Sequence, residues 1–282
     1  MMHANLKSWL RLAVTTCASP FVAILPLQAA NFSFSGSTLL LDNFSQAPIN
    51  TDSVLTTDAA SFSGSDDDIA FTDFDGSLDF SVDGDSTRLE GEFGAFAEGL
   101  GTEYLGRAEV GSEALASFDV DAETSFSFEF TTSFLFDNVT DGTPVTSASA
   151  FTDISLLLLD PQDTVLSFFD LTAEVNTNSV DSFTNDFLQV STDASLTTAL
   201  PQASLGNSQE IATALYSGVF QQTFDAPTQV RLVVQTRNRA CVKAPGASNA
   251  CVQVVEPSSS LALTVVAAAV GMLTWRRQRF SL

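Results

Sequence analysis

The residues of this sequence best suited to chemistry are aspartates concentrated in one short segment. Between residues 65 and 85 the chain carries Asp66, Asp67, Asp68, Asp73, Asp75, Asp79, Asp83 and Asp85. Carboxylate oxygens are the ligands that Ca²⁺ prefers, and Asp-x-Asp-Gly turns present them in loops. Two stretches of this kind predict calcium ligands at Asp73, Asp75, Asp83 and Asp85. The alternative interpretation is that these aspartates are turn residues and polar strand faces.

Other site chemistry is restricted by the residue types that the central part of the chain lacks. The only histidine is His3, and the two tryptophans, Trp9 and Trp275, lie near the chain ends. Catalysis by a Ser-His-Asp or Cys-His set needs an imidazole, as do most zinc and copper sites. Carboxylates remain for acid–base work, but a pair of them among 34 acidic residues is not informative. The sequence therefore predicts that the protein is not an enzyme and has no cofactor other than calcium.

The charge of the chain limits its partners. All 34 acidic residues but only six of the 11 basic residues lie between residues 31 and 257, which leaves this region a net charge near −28. A surface of this kind repels the phosphates of nucleic acids and the headgroups of anionic lipids. We therefore predict that nucleic acid is not a partner.

Alternation of apolar and polar residues with a period of two predicts β-strands in this region. Phe126, Phe128 and Phe130 alternate with polar residues, and residues 78–82 and 230–234 repeat the pattern. Such a strand buries one face and exposes the other. Short strands separated by Gly, Asp, Asn and Pro favour two packed sheets. The sequence predicts an all-β fold, a single large antiparallel β-sandwich that is jelly-roll-like, over residues 31–253.

Two hairpins and one ambiguous segment are predicted within this domain. The first hairpin joins residues 154–159 to 165–175 through the turn 160–163, and the second joins 220–224 to 229–235 through 225–227. Both turns contain Asp and Pro, which favour chain reversal. Residues 208–217 fit a helix with Ser208 as its N-cap, whereas a strand fits residues 214–220 equally well.

The first 30 residues match a secretory signal peptide. Lys7 and Arg11 precede an apolar stretch at residues 12–27, and Ala29 and Ala30 come before a switch to alternating Phe and Ser. A positive start, an apolar core and small residues at the exit are typical of a cleavable export signal. We expect residues 1–30 to be removed during export. The alternative is a first transmembrane helix that remains in place.

The C-terminal residues predict a second targeting segment. The 15 residues from 261 to 275 carry no charge and are followed by Arg276, Arg277 and Arg279. A helix of this length spans about 22 Å, which is short against a hydrocarbon core of about 30 Å. The arginines are expected on the cytoplasmic side, so the preceding domain is expected outside.

This tail resembles the PEP-CTERM sorting signal, in which a Val-Pro-Glu-Pro core precedes a short helix and a terminal basic cluster. The matching residues are Val254, Glu256, Pro257, Arg276, Arg277 and Arg279. Val255 replaces the first proline of the core. The resemblance covers residues 254–282 and implies that an exosortase, a membrane-embedded cysteine transpeptidase, cuts near Pro257 and removes the helix. A plain single-pass membrane anchor is the alternative.

Export also bears on the cysteines. Cys17 leaves with the signal peptide, so Cys241 and Cys251 are the two that remain in an exported domain. Cysteines in an oxidising compartment are expected to pair. The sequence therefore predicts a Cys241–Cys251 disulfide with Cα atoms within about 7 Å of each other.

Two functional hypotheses follow. The first is an exported structural or adhesive protein of the cell envelope, cell surface or extracellular matrix, anchored in the membrane until an exosortase processes it. Its further partners are then exopolysaccharide or matrix components, as the family resemblance implies. The second is a calcium-dependent β-sandwich that binds a glycan or a small ligand.

Overall fold

A computed structural model describes residues 31–83, 86–140, 146–178, 186–205, 208–244 and 251. The predicted signal peptide at residues 1–30 and the predicted sorting segment at residues 254–282 lie outside the described residues. Within the described residues, no helix is long and apolar enough to cross a membrane.

The described part of the chain forms twelve β-strands. They are β1 (Asn31–Asp42), β2 (Asn50–Ser63), β3 (Ile69–Asp83), β4 (Ser86–Leu100), β5 (Tyr104–Val120), β6 (Thr124–Val139), β7 (Ser147–Leu159), β8 (Val165–Asn178), β9 (Phe187–Thr192), β10 (Ser195–Ser204), β11 (Gln209–Phe224) and β12 (Thr228–Lys243). Of the two alternatives left open near residue 214, the helix at residues 208–217 is wrong, and the strand at residues 214–220 is confirmed as part of β11. Ala212, Ala214 and Tyr216 are buried at every second position of β11, a period that a helix does not match.

The strands form two antiparallel sheets of six strands each. Sheet A has the order β10-β11-β6-β1-β4-β3, and sheet B has the order β2-β5-β12-β7-β8-β9. Every neighbouring pair is antiparallel. The inner strands β1 and β4 of sheet A contact β5, β7 and β12 of sheet B, so the two sheets pack face to face. The prediction of an antiparallel all-β fold is confirmed.

Only four of the eleven connections are hairpins within one sheet, and one predicted hairpin is wrong. The hairpin predicted at residues 154–175 is present as β7 and β8. The segments expected to form the second hairpin belong to β11 in sheet A and β12 in sheet B, so residues 225–227 carry the chain from one sheet to the other. Both edges of β11 are already paired, with β10 and β6, which leaves no edge for β12.

The main core is rich in phenylalanine and lies between the sheets. Phe126, Phe128 and Phe130 of β6 point inward and are almost fully buried, as their alternation predicts. The ring of Phe128 stacks on Phe220 of β11 with centroids 4.7 Å apart. Phe118 of β5 in sheet B contacts Phe126 at the same centroid distance, which joins the two sheets. Each such pair adds about 0.5–1.5 kcal/mol beyond the area that it buries.

A polar seam separates this core from a second, smaller apolar cluster formed chiefly by Ala, Val and Tyr104. On β1 the serines, not the phenylalanines, face inward: Ser33 Oγ donates to the carbonyl of Ser149 at 2.7 Å, and Ser35 Oγ donates to that of Phe151 at 2.6 Å. Both acceptors belong to β7 of the opposite sheet. Small hydroxyl side chains therefore allow the two sheets to approach closely here, while their buried polar atoms remain hydrogen-bonded.

Candidate functional site

Three of the four predicted calcium ligands, Asp73, Asp75 and Asp83, belong to β3, the edge strand of sheet A. Asp73 and Asp75 project from the same outer face of β3, and Asp73 Oδ1 accepts a hydrogen bond from the Phe74 N–H at 2.9 Å. Asp83 ends β3, about 27 Å along the strand from Asp75 at 3.4 Å per residue. The side chain of Asp83 and the whole of Asp85 lie outside the described residues. The backbone of Asp83 therefore lies far from Asp73 and Asp75, and the ligand pair predicted at Asp83 and Asp85 falls outside what the structure describes.

The outer face shared by β3 and β4 is densely acidic. Asp79 lies directly opposite Glu90, and Ser77 lies opposite Glu92. Arg88 forms an ion pair with Glu90 at 3.1 Å. No group of three or more His, Cys, Asp or Glu residues arranged to hold a metal is found in the part of the chain that the structure describes.

One member of the aspartate run has a structural role that the sequence did not reveal. Asp68 is buried and accepts a hydrogen bond from the Thr102 N–H at 2.7 Å and another from Ser65 Oγ at 2.9 Å. The Thr102 bond, helped by that of Ser65, holds the pKa of Asp68 below its ordinary value. Gly101 has a φ of +113°, and a Cβ there would lie 2.0 Å from Asp68 Oδ1. Asp68 therefore fixes the turn between β4 and β5.

An aromatic row lies beside Asp73 on the outer face of sheet A. The Phe96 ring is 6.3 Å from Phe32 and 6.2 Å from Phe71, between centroids. Phe71 is 50% exposed, and Asp73 is directly opposite Phe96. Exposed ring faces next to carboxylates offer stacking for an apolar surface and hydrogen-bond acceptors for hydroxyl groups.

The outer face of sheet B carries most of the basic residues of the domain. Arg107 of β5 pairs with Asp58 at 3.1 Å and with Glu109 at 3.2 Å, while Arg237 Nε donates to Glu109 at 2.8 Å. Burial alone would raise the pKa of Glu109, but the two arginines outweigh it and hold that pKa below its ordinary value. The period-two spacing of Arg237 and Arg239 on β12 is the sequence signal for this shared face.

Arg239 lies in the same face and is 5% exposed. Its guanidinium carbon lies 5.1 Å from the centroid of the Phe151 ring, a cation–π contact. Nε and Nη2 have no hydrogen-bond partner among the described residues. Burial lowers the pKa of Arg239, and the negative charge of Glu174 opposes this shift. Two residues further along β12, Cys241 is bonded to Cys251 with Cα atoms 5.7 Å apart, so the predicted disulfide is confirmed.

Two aspartates of β7 and β8 form reciprocal cross-strand pairs with hydroxyl groups. Thr172 Oγ1 donates to Asp153 at 2.8 Å, and Ser155 Oγ donates to Asp170 at 2.6 Å. Burial raises the pKa of both carboxyls, and the charge of Asp170 adds to the shift at Asp153. Raised carboxyl pKa values occur at catalytic sites, but each of these carboxylates is occupied by a neighbouring hydroxyl. The arrangement stabilises the sheet and does not identify a nucleophile or a substrate position.

A cleft opens between the sheets where β8 and β9 face β10 and β11. Its volume is about 290 Å³, and its walls are mainly apolar, with Phe134, Phe136, Val175, Leu188, Pro201 and Leu205. Asp186 lies in the wall and accepts the Asn176 N–H at 2.7 Å; burial raises its pKa. The volume is close to the lower limit of small-molecule pockets, about 300 Å³. The chemistry of the walls suits a small apolar molecule better than a glycan.

Comparison with known proteins assigns no family. No protein-family model matches this chain, and comparisons with curated proteins and with solved structures found no significant match. Any functional interpretation therefore depends on the residues and geometry described above.

Proposed function

We propose that this chain is an exported structural or adhesive protein of the cell surface or extracellular matrix, released from its membrane anchor by an exosortase. The proposal joins the resemblance of residues 254–282 to a sorting signal with the export signal expected at residues 1–30. The observation that carries it is the Cys241–Cys251 bridge. Structural disulfides persist in oxidising compartments outside the cytoplasm, so the bridge supports an exported domain.

The fold supports a structural role. The domain consists of two large sheets with a continuous aromatic core, and seven of its eleven connections cross between the sheets. Such crossing connections support the jelly-roll-like description, and they make the two sheets mutually dependent. The acidic surface keeps the domain soluble and favours partners that are neutral or basic.

Mass spectrometry of the exported protein tests this proposal. The expected mature form starts near residue 31, ends near Pro257 and lacks residues 261–282. A matched variant, Glu256→Ala with Pro257→Ala, is expected to keep the C-terminal helix and to accumulate in the membrane. If the stable surface form of the natural sequence still contains Trp275, the exosortase proposal is wrong and the C-terminal segment is a plain membrane anchor.

The second candidate is a calcium-dependent β-sandwich that binds a glycan or small ligand. The observation that favours it is the aromatic row of Phe32, Phe96 and Phe71 beside Asp73 and the half-exposed Asp75. A cation held at these carboxylates would lie next to rings on which a sugar face can stack.

Thermal unfolding and glycan binding test this second candidate. Calcium at a hundredfold excess over Kd is expected to stabilise the folded state by about 2.7 kcal/mol relative to EDTA at equal ionic strength. The double variant Asp73→Asn/Asp75→Asn should lose the response, whereas Asp52→Asn on β2 should keep it. Phe71→Ala should weaken glycan retention without changing the calcium response. If calcium does not change the unfolding temperature, this second candidate is wrong and the acidic face is only a solvated surface.

A further inference from the structure

The four edges of the two sheets differ in how they are protected against pairing with another strand. β10 and β3 form the edges of sheet A, and β2 and β9 form those of sheet B. An edge strand presents unpaired N–H and C=O groups, which proteins usually protect with short strands, bulges, proline or charge.

Three of these edges carry such protection. β9 has only six residues. β10 contains Pro201 and a register shift between Leu196 and Thr198. β3 carries Asp73, Asp75 and Asp79, so its edge is strongly negative.

β2 has no proline and no bulge, it is not short, and its only charged residues are Asp52 and Asp58. It is 14 residues long, and every one of them is exposed. Its register against β5 is unbroken over the whole length. It contains no proline or lysine, and its exposed apolar side chains include Val54, Leu55 and Phe62. A long, regular and partly apolar edge of this kind is suited to pairing with a further strand.

The hydrogen bonds identify the residues that face the free edge. Gly64 N–H donates to the Glu103 carbonyl at 2.7 Å, immediately after Ser63 pairs with Tyr104. In an antiparallel pair, residues that bond to the neighbour alternate with residues that do not. The even-numbered residues of β2 therefore bond to β5, and the odd-numbered ones direct their N–H and C=O groups outward.

We propose that β2 pairs antiparallel with β2 of a second copy of this chain, about a two-fold axis at Thr57, which joins the two B sheets into one sheet. The register places Leu55 against Ala59, Val54 against Ala60, Thr56 against Asp58, and Asp52 against Phe62. Apolar residues meet at two of these positions, and none of these pairs places two like charges directly opposite each other. An axis at Leu55 would instead oppose Asp52 and Asp58, which is unfavourable.

The charge near β2 favours a second copy over a basic partner strand. Of the 34 acidic residues, β2 carries only Asp52 and Asp58. Asp58 is paired with Arg107 at 3.1 Å, so the strand offers little free charge to a basic peptide. The net charge of −23 still opposes association of two copies at long range. Salt shortens the Debye length, so this pairing becomes stronger as salt rises, whereas pairing with a basic strand would become weaker.

Disulfide cross-linking through one introduced cysteine tests the axis, in the purified full-length chain with Cys17→Ala, which leaves Cys241 and Cys251 in their bridge. Paired residues at Thr57 have Cα atoms about 5.5 Å apart, within the range of about 4.4–6.8 Å for a disulfide. Thr57→Cys is therefore expected to give a covalent dimer on a non-reducing gel. Thr51→Cys, on the same exposed strand, places the two thiols about 40 Å apart and is the matched control. No dimer from Thr57→Cys, or equal amounts from both variants, would overturn the proposal.

Light scattering of the chain without added cysteines gives an independent test. The expected mass is twice the monomer mass of 29.9 kDa, with a dimer fraction that increases with salt. Ala59→Pro removes an outward N–H without breaking a bond to β5, so it should give a folded monomer whose unfolding temperature does not depend on protein concentration. A monomeric natural chain at every salt concentration contradicts the pairing. The pairing does not depend on the processing proposed above.

Discussion

Asp79 of β3 lies directly opposite Glu90 of β4, on the solvent face of sheet A. Two carboxylates in this relationship repel each other, and Arg88 is the cation that pairs with Glu90, at 3.1 Å. Like charges at directly opposed positions destabilise a sheet by about 0.2–1 kcal/mol. The pairing of β3 with β4 therefore lowers the free energy of unfolding locally, in addition to any effect of the net charge of the domain.

Replacement of Asp79 by Asn is expected to stabilise the domain. Asp79→Asn should raise the free energy of unfolding by about 0.2–1 kcal/mol at pH 7 and low salt, with a smaller gain at high salt. Denaturant unfolding measures the difference. Asp52→Asn is the matched control. Asp52 lies opposite Leu115, so this substitution removes one negative charge without separating two carboxylates that face each other. Equal gains from both variants would attribute the effect to net charge alone.

The polar seam predicts a large destabilisation at Asn238. This residue is fully buried on β12, and its Oδ1 accepts from Thr152 Oγ1 at 2.7 Å while its Nδ2 donates to Ser37 Oγ at 2.7 Å. Asn238→Ala removes these two bonds and a third, which Ser35 Oγ donates to Oδ1 at 3.2 Å, and it leaves buried hydroxyls with fewer partners. At about 1–2 kcal/mol for each affected group, we expect a loss of about 2–4 kcal/mol in the free energy of unfolding.

Gln229→Ala provides the comparison for Asn238→Ala. Gln229 is exposed on the same strand and makes one side-chain bond, to Asp119 at 3.2 Å. Its loss should change stability by less than about 0.5 kcal/mol in urea unfolding. If the two substitutions lower the free energy of unfolding equally, the buried hydrogen bonds of Asn238 do not stabilise the fold more than an exposed bond does.

Local periodicity predicted several strands of this domain, among them β6 and β12, but periodicity alone does not determine which face of a strand is buried. In β6 the phenylalanines face inward, as alternation suggests. In β1 the same Phe/Ser alternation has the opposite orientation, with Ser33 and Ser35 inside. Both orientations satisfy a period of two, and only the approach of β7 from the other sheet decides between them. Sequence alone contains no information about that approach.

Some connections between strands and some contacts on the surface could not be predicted from the sequence, for a related reason. The turn at residues 225–227 has the composition of a hairpin turn, yet it crosses between sheets because β11 is already paired on both edges. The opposition of Asp79 and Glu90 depends on the register of β3 and β4, and the Arg237–Glu109 bond joins residues far apart in the chain. The disulfide was predictable because the expected removal of residues 1–30 leaves only Cys241 and Cys251, so no choice of partner remained.

Asp153 is expected to make stability depend on pH. Burial, with the nearby charge of Asp170, raises the pKa of Asp153 despite the attraction of Arg237. A carboxyl whose pKa is raised on folding destabilises the native state above that pKa, and protonation removes the cost as pH falls. Asp153→Asn can keep the bond from Thr172 Oγ1, so it should be more stable than the natural chain at pH 7.

The advantage of Asp153→Asn should shrink as pH falls through the raised pKa and disappear below the ordinary value of about 3.9. Denaturant unfolding at a series of pH values measures it, with Asp119→Asn on an exposed position of β5 as the control. A variant that is less stable than the natural chain at pH 7 would show that the ionised carboxylate is needed there.

The disulfide is expected to contribute directly to stability. Cys241 is fully buried in β12, and Cys251 is ten residues further along the chain. In the chain-entropy model, closing a loop of about this length stabilises the folded state by about 2–3 kcal/mol, because it restricts the unfolded chain. Reduction of the natural chain and the double variant Cys241→Ala/Cys251→Ala should lower the free energy of unfolding by similar amounts.

Mass spectrometry after alkylation under non-reducing conditions establishes the state of the two thiols before unfolding is measured. The exported protein should leave Cys241 and Cys251 unlabelled, and reduction should make both reactive. The double variant has no bridge to reduce, so a reductant should not change its free energy of unfolding. This control separates the loss of the bridge from other effects of the reductant. If two labelled cysteines accompany full stability, the fold does not depend on the bridge, and the main support for an oxidising compartment is lost.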